Sequence, residues 1–575
     1  MKKITFYIPL FAFFFFTACE FAVELETDFP TSNGISHSNI EPNQSRSVDF
    51  SSSEPILEVE ASTKSLTISG DLAGKTVYYV QVNTGNAKVD NSLVRYISSD
   101  SERAAVSTES EEIFQESETS KEGIICHHGY DFHPEFTGPA ERSVYYPREV
   151  SKLSYNVGIT KKQIFTARTE YEYEKKAATL WAFNEICNVW IVDDDPYISS
   201  KSAKESIAKK YAENFKALYP LVRNIFGKES DFIYSSTHGS KAELSSVSDT
   251  GTKVNIVIYD LFNDKSLGNT VGFFSSMDYY MNGLAFSNVT IKNSNEGKYF
   301  YIDSYFAKTK NGLTLSTLAH EFQHMINFGV KTMNGISIDS NFNEMLSMLC
   351  EDMLQEYLGI SDTDSPKGRL REFISQYYNT GIRNFDNTTL SYANAYGFGA
   401  WLCRQYGGAA LVREMMQNSK SNNDCIVSAV NALNRSDYDF DEIFGKFIMA
   451  CLGDTVYTFN QDAEQTVRYS QGGLVYDYPM AAINLWGGDN SVTIPSGSRY
   501  RFFNSIMTYL TPDYKESYQG PAIFKNNTIS SLSEGYGMII KSYRTLSENE
   551  DSITLNFTSN SGKTNTGIVT YIYIK

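Results

Sequence analysis

The sequence predicts an α+β fold, and three features of it carry that reading. A short stretch near the start of the chain alternates apolar and polar residues with Gly at the turns, the two-residue period of half-buried strands, and the last hundred residues are β-rich in Tyr, Thr, Ser and Gly. The middle of the chain instead carries long segments with apolar residues three and four apart, the period of helices packed on one face. Between those helices lie apolar runs such as "KVNIVIYDL" and "KYFYIDSYF", which read as buried strands. At 575 residues the chain exceeds a single core and divides into several parts.

The first residues, "MKKITFYIPLFAFFFFTAC", place Lys2 and Lys3 before an apolar run too short to span a bilayer comfortably, then Thr17, Ala18 and Cys19. This predicts a signal peptide over 1–18. It resembles a bacterial lipoprotein signal, in which the cysteine becomes the acylated first residue; Phe16 stands where that pattern favours Leu. Cys19 is therefore the expected lipidation site, with ordinary secretion as the alternative. Residues 19–54 are rich in Ser, Asn, Pro and Glu and read as a disordered tether. Residues 55–97 read as a small β domain, and 98–123 as a polar, acidic linker. The stretch 124–455 reads as one mixed domain, and 470–575, rich in Tyr, Thr, Ser and Gly, as a C-terminal β-sandwich-like domain.

A net charge of −18 argues against a nucleic-acid partner, which needs a basic face. Cys126, Cys187, Cys350, Cys403, Cys425 and Cys451 remain after Cys19, an even number that permits disulfides in an exported protein. Cys350 fits a buried free thiol equally well. None has CxxC spacing, so a cysteine metal site is not expected.

"LAHEFQHMINFG" (Leu318 to Gly329) holds His320 and His324 four residues apart, on one helix face, where two imidazoles can meet one metal. Glu321 is rotated by about 100° from His320, which puts it beside the metal rather than on it, as the general base. Thr314 or Ser316 is the expected cap and Gly329 the expected stop. A hydrolytic zinc needs three protein ligands and an open position. Glu344, in the first turn of the amphipathic segment "SNFNEMLSMLCEDMLQEYLG", is the expected third ligand, brought back by the loop "VKTMNGISID".

HEFQH followed at this distance by "NEMLS" resembles the gluzincin metallopeptidases, HExxH with a downstream Asn-Glu-x-x-Ser. The closer resemblance is to the hyicolysin family of bacterial metallopeptidases, covering roughly Val189 to Leu452. Its marks include "NVWIVDDD", "VGFFSSMDYY", "YGFGAWLCRQYGG" and "FDEIFGKFIMACLG". The resemblance implies a zincin-like domain of mixed sheet and active-site helices, zinc, and protein or peptide substrates. Met348 stands where thermolysin-like enzymes place an aspartate to orient the first histidine. Glu351 is the candidate for that second-sphere role, from the glutamate that gluzincin aminopeptidases carry at its offset, or it is an exposed helix carboxylate. No histidine lies downstream of His324 to serve as oxyanion donor, so a tyrosine is expected. Tyr396 matches the family best, with Tyr392 second and His238 a further option.

"SNEGKYFYIDS" reads as the edge strand of the active-site sheet, able to pair with extended substrate, or as a plain core strand. "VDDDPY" reads as a calcium loop or, preferably, a solvated acidic turn. A zinc endopeptidase in the cell envelope, lipid-anchored or secreted, is the leading function. The Glu-Asn pair of an aminopeptidase amine site is missing from "VGFFSSMDYYMNG". The alternative outside enzymology is a surface lipoprotein serving as adhesin or binding module.

Overall fold

The computed structural model describes residues 37–50, 55–98, 151–169, 172–263, 270–286, 289–362, 364–386, 388–459, 478–486, 520–528 and 530–575, with short strands between 492 and 516. The signal peptide, Cys19, the acidic linker and Cys126 lie outside the described residues.

Helices and several sheets make it α+β. The central sheet has six strands: β1 (Lys161–Ala167), β2 (Tyr173–Phe183), β3 (Cys187–Val192), β4 (Val254–Tyr259), β5 (Gly272–Phe274) and β6 (Lys298–Asp303), in the order β5-β6-β4-β3-β2-β1. The inner strands β3, β4 and β6 run parallel and are buried throughout, which is why they read as continuous apolar runs without alternation. β5 and the β2–β1 pair are antiparallel to their neighbours. The strand "KYFYID" is thus the core strand of its two readings and not the edge. It is second from the edge, and Gly272–Phe274 closes that side. A three-residue strand gives periodicity nothing to register, so the sequence could not show it.

α1 (Lys201–Phe226) connects β3 to its parallel neighbour β4 and packs on the sheet. Ser200 caps its start by accepting from the Ala203 amide. α2 (Asn311–Val330) and α3 (Ser340–Leu358) follow β6. α2 starts earlier than expected: Thr314 and Ser316 lie inside it, the Thr314 hydroxyl bonding back to the Lys310 carbonyl. Asp339 caps α3 through the Phe342 amide, and Gly359 ends it in the left-handed region at φ 62°. α4 (Leu370–Gln376) and α5 (Thr389–Tyr406) come next, and three further helices end at Leu452. Among the described residues no helix is long and apolar enough to cross a membrane.

The two terminal β regions do not form separate domains. The strand Thr76–Asn83 lies between Gly537–Thr545 and Ile568–Ile574, and Thr63–Gly70 pairs with Ser552–Thr558. A four-stranded and a five-stranded sheet, each mixing strands from both ends of the chain, enclose one core that includes Leu66, Ile68, Val77, Leu555 and Ile572. Part of the expected tether belongs here too: Gln44–Phe50 is a strand paired in parallel with Thr63–Gly70. It lies at the sheet edge with five of its seven residues exposed, so its Ser, Arg and Asp stay solvated. A polar edge strand and a disordered tether have the same composition.

This β module is tied to the helical part by polar contacts. The Arg383 amide donates to the Gly535 carbonyl at 2.8 Å, and the Tyr536 hydroxyl to Asp441 at 2.6 Å. Gly381 sits so close to the Glu534 carbonyl that a Cβ there would lie 2.0 Å from it. The five cysteines among the described residues are buried free thiols.

Candidate metal centre

His320 and His324 are fixed by α2, one turn apart, with ring centroids 4.6 Å apart. α3 packs alongside and brings Glu344 to them. Its Oε2 lies 3.0 Å from His320 Nε2 and 3.8 Å from His324 Nε2. Among the described residues these three form the one group of His, Cys, Asp or Glu side chains whose donor atoms all lie within 4.8 Å of one another, and all three are buried.

The outer nitrogens are held from behind. Glu351 Oε1 accepts from His320 Nδ1 at 2.7 Å, and the Ser316 hydroxyl bonds the other Glu351 oxygen. His324 Nδ1 lies 3.2 Å from Asn343 Oδ1 and 3.0 Å from Ser347 Oγ. A carboxylate and an amide oxygen accept protons here, so the N–H of each ring sits on Nδ1 and the Nε2 lone pair points inward. The Asn and Ser flanking Glu344 in "NEMLS" are thereby both explained: the residue before the carboxylate and the one a turn after it grip the second histidine. That pairing was visible as a spacing in the sequence, but not as a role.

Two imidazole nitrogens and one carboxylate oxygen, buried and convergent, suit zinc. Donors on a tetrahedral zinc at about 2.0–2.2 Å would stand roughly 3.3–3.6 Å apart, against 3.0 and 3.8 Å from Glu344 Oε2 to the two imidazole nitrogens. Glu321 follows His320 on the same helix and is fully buried.

The two tyrosines of α5 divide differently from the family expectation. The Tyr392 hydroxyl donates to Glu344 Oε1 at 3.0 Å. The Tyr396 hydroxyl is spent on Asp352 Oδ2, at 3.0 Å, where Arg404 also binds at 2.9 and 3.2 Å. Burial and the Asp352 charge hold the Tyr396 phenol well above its usual range. Tyr396 therefore belongs to a buried ion-pair network, and Tyr392, the second choice from sequence, is the tyrosine at the centre. The crossing of α3 and α5 depends on Gly399, whose Cβ would lie 2.5 Å from the Met345 side chain. His238 sits in a turn and contacts Ser236 and Thr237.

Nothing in the acidic turn of "VDDDPY" supports calcium, and its groups find partners within the chain. Asp193 pairs with Lys161 at 2.7 Å, and Asp195 accepts from the Tyr197 and Ile198 amides. The Lys204 ammonium takes the Val192 and Asp193 carbonyls at 3.2 and 2.9 Å. The Lys204 ammonium thus already takes the backbone carbonyls of this turn, and among the described residues no group of three or more acidic, His or Cys side chains converges there.

The profile of the peptidase M30 family matches residues 176–460, which carry most of the central sheet, α2, α3 and α5. The neutral metalloprotease ShpI of Staphylococcus hyicus is 28% identical over 284 residues, a match covering 45% of this chain and 55% of that protein. The chain thus spans about half the length of the curated relative it matches. With the buried His320–His324–Glu344 constellation at its heart, the matched region of this chain belongs to the peptidase M30, or hyicolysin, family of metallopeptidases.

Proposed function

We propose that the protein is a zinc-dependent endopeptidase, exported and anchored by a lipid on Cys19. The observation that carries the reading is the inward convergence of His320, His324 and Glu344, with the outer nitrogen of each histidine already engaged. Zinc held there would supply Lewis acidity, drawing the pKa of a water at its open position towards about 7.

The remaining steps are assigned to side chains. Glu321 accepts the proton of the attacking water and returns it to the leaving amine. Glu351 and the Asn343–Ser347 pair keep the two imidazoles in one tautomer and orientation. Tyr392 orients Glu344 and can shift its single proton to the oxyanion as negative charge builds on the substrate carbonyl. The missing Glu-Asn amine site supports internal cleavage over aminopeptidase action, and the N-terminal sequence supports the envelope location. The purified full chain should contain one zinc and cleave casein in a chelator-sensitive way. Zinc-loaded protein inert on casein and on unblocked and blocked peptides would overturn the proposal.

A further inference from the structure

Arg369 ends the 3₁₀ turn Pro366–Arg369 and leads into α4. Its guanidinium carbon lies 5.0 Å from the centroid of the Tyr392 ring, and Phe385 packs against the same ring, with centroids 5.0 Å apart and planes at 72°. The Tyr392 hydroxyl is the group on Glu344. One tyrosine therefore separates the guanidinium from the candidate metal ligand, a span of about three residues of extended peptide at most.

Three features set Arg369 apart. It is partly exposed, whereas Tyr392 and Glu344 are fully buried. It has no hydrogen bond or ion pair with a described residue, in a chain with 68 acidic side chains against 50 basic ones. The neighbouring cation, Lys367, is by contrast 3.8 Å from Asp362. Glu372, one turn on, feels the guanidinium only as a minor influence and takes its hydrogen bond from Thr389 at 2.7 Å. Stacking on the tyrosine uses the face of the guanidinium and leaves its edge, with a fork of N–H donors matched to a carboxylate.

We propose that Arg369 forms a carboxylate-binding subsite of the peptidase, which selects substrates bearing an acidic side chain or a free C-terminal carboxylate within about three residues of the scissile bond. The proposal rests on the peptidase reading above. Burying Arg369 between Tyr392 and a substrate carboxylate would strengthen a charge-assisted pair that water otherwise weakens.

The test uses the full zinc-loaded chain and quenched peptides that differ by Glu or Gln at each position around the cleaved bond, with free or amidated C-termini. Binding of the same peptides to the Glu321→Gln variant is read by fluorescence anisotropy. The parent should favour one carboxylate by about tenfold or more in kcat/KM. Arg369→Gln should erase that preference while cleavage of the neutral peptide stays within about twofold. Arg369→Lys should retain part of it. A preference that follows the Glu position assigns the carboxylate to a side chain; one that follows the free terminus assigns it to the chain end. Equal cleavage of charged and neutral peptides by the parent overturns this subsite and leaves the peptidase reading standing. An equal loss on both peptides in Arg369→Gln overturns it as well, by assigning Arg369 to packing on Tyr392. A parent that cleaves nothing, together with equal binding of Glu and Gln peptides, overturns both readings.

Discussion

Glu351 reaches across from α3 to hold His320: its Oε1 lies 2.7 Å from Nδ1, two helical turns beyond Glu344 on the same face. The carboxylate and the Ser316 hydroxyl behind it fix which ring nitrogen carries the proton. Glu351→Gln should therefore fold and still bind zinc, but with affinity lowered about 10–100-fold, the usual cost of losing such an outer partner. Competition with a chromogenic chelator measures this. Unchanged affinity would mean that His320 is oriented by packing alone.

Glu321→Gln separates binding from chemistry. The amide keeps the shape of the side chain but cannot accept a proton. Zinc content and melting temperature should match the parent, while kcat falls by roughly 10²–10⁴. Substantial turnover by the zinc-loaded variant would remove Glu321 from the role of base.

Tyr392 and Tyr396 should fail in different ways. Tyr392→Phe removes a donor at the centre and should lower kcat by about 10²–10³ with little change in stability. Tyr396→Phe leaves Asp352 paired with Arg404, so it should cost about 1 kcal/mol of stability and leave kcat per folded molecule near the parent. Loss of kcat in Tyr396→Phe without loss of stability would return the donor role to Tyr396.

These two tyrosines also mark where the sequence stops being readable. They stand four apart and so share one helix face, and no spacing rule tells which meets Glu344 and which meets Asp352. HExxH and the downstream Asn-Glu-x-x-Ser were legible because each is a local spacing on a single helix, and α2 and α3 form where those spacings need them. The β module was not legible as one unit. Thr76–Asn83 and Ile568–Ile574 are each rich in β-branched and aromatic residues, but nothing local in either says that the other is its neighbour. The short edge strand Gly272–Phe274 and the polar strand Gln44–Phe50 were missed for related reasons: one is too short for a period, the other too solvated to look like a strand.

Lys541 gives the β module its own pH test. It lies in the strand Gly537–Thr545 with no exposure, and among the described residues its amine reaches only Gln81 Oε1 at 3.5 Å and the Arg95 carbonyl at 3.4 Å. Arg95, the other buried cation there, bonds the Thr63 carbonyl and the Thr570 hydroxyl, and the Tyr79 ring lies 5.4 Å from the Lys541 amine. Burial pulls the amine from 10.5 down to about 7. The folded state therefore holds fewer protons than the unfolded state between about pH 7 and 10.5, so the contribution of this group to stability rises with pH across that window. Below about pH 7 the penalty of the buried amine is fully present. Lys541→Met removes the titrating group at nearly the same length. It should be more stable than the parent at pH 6, by on the order of 5 kcal/mol, and the advantage should shrink towards pH 10. Urea unfolding of both proteins at the two pH values measures the difference. A methionine variant that is less stable at pH 6, or whose advantage does not change with pH, would show that the amine is neither a cost to this fold nor titrating within it.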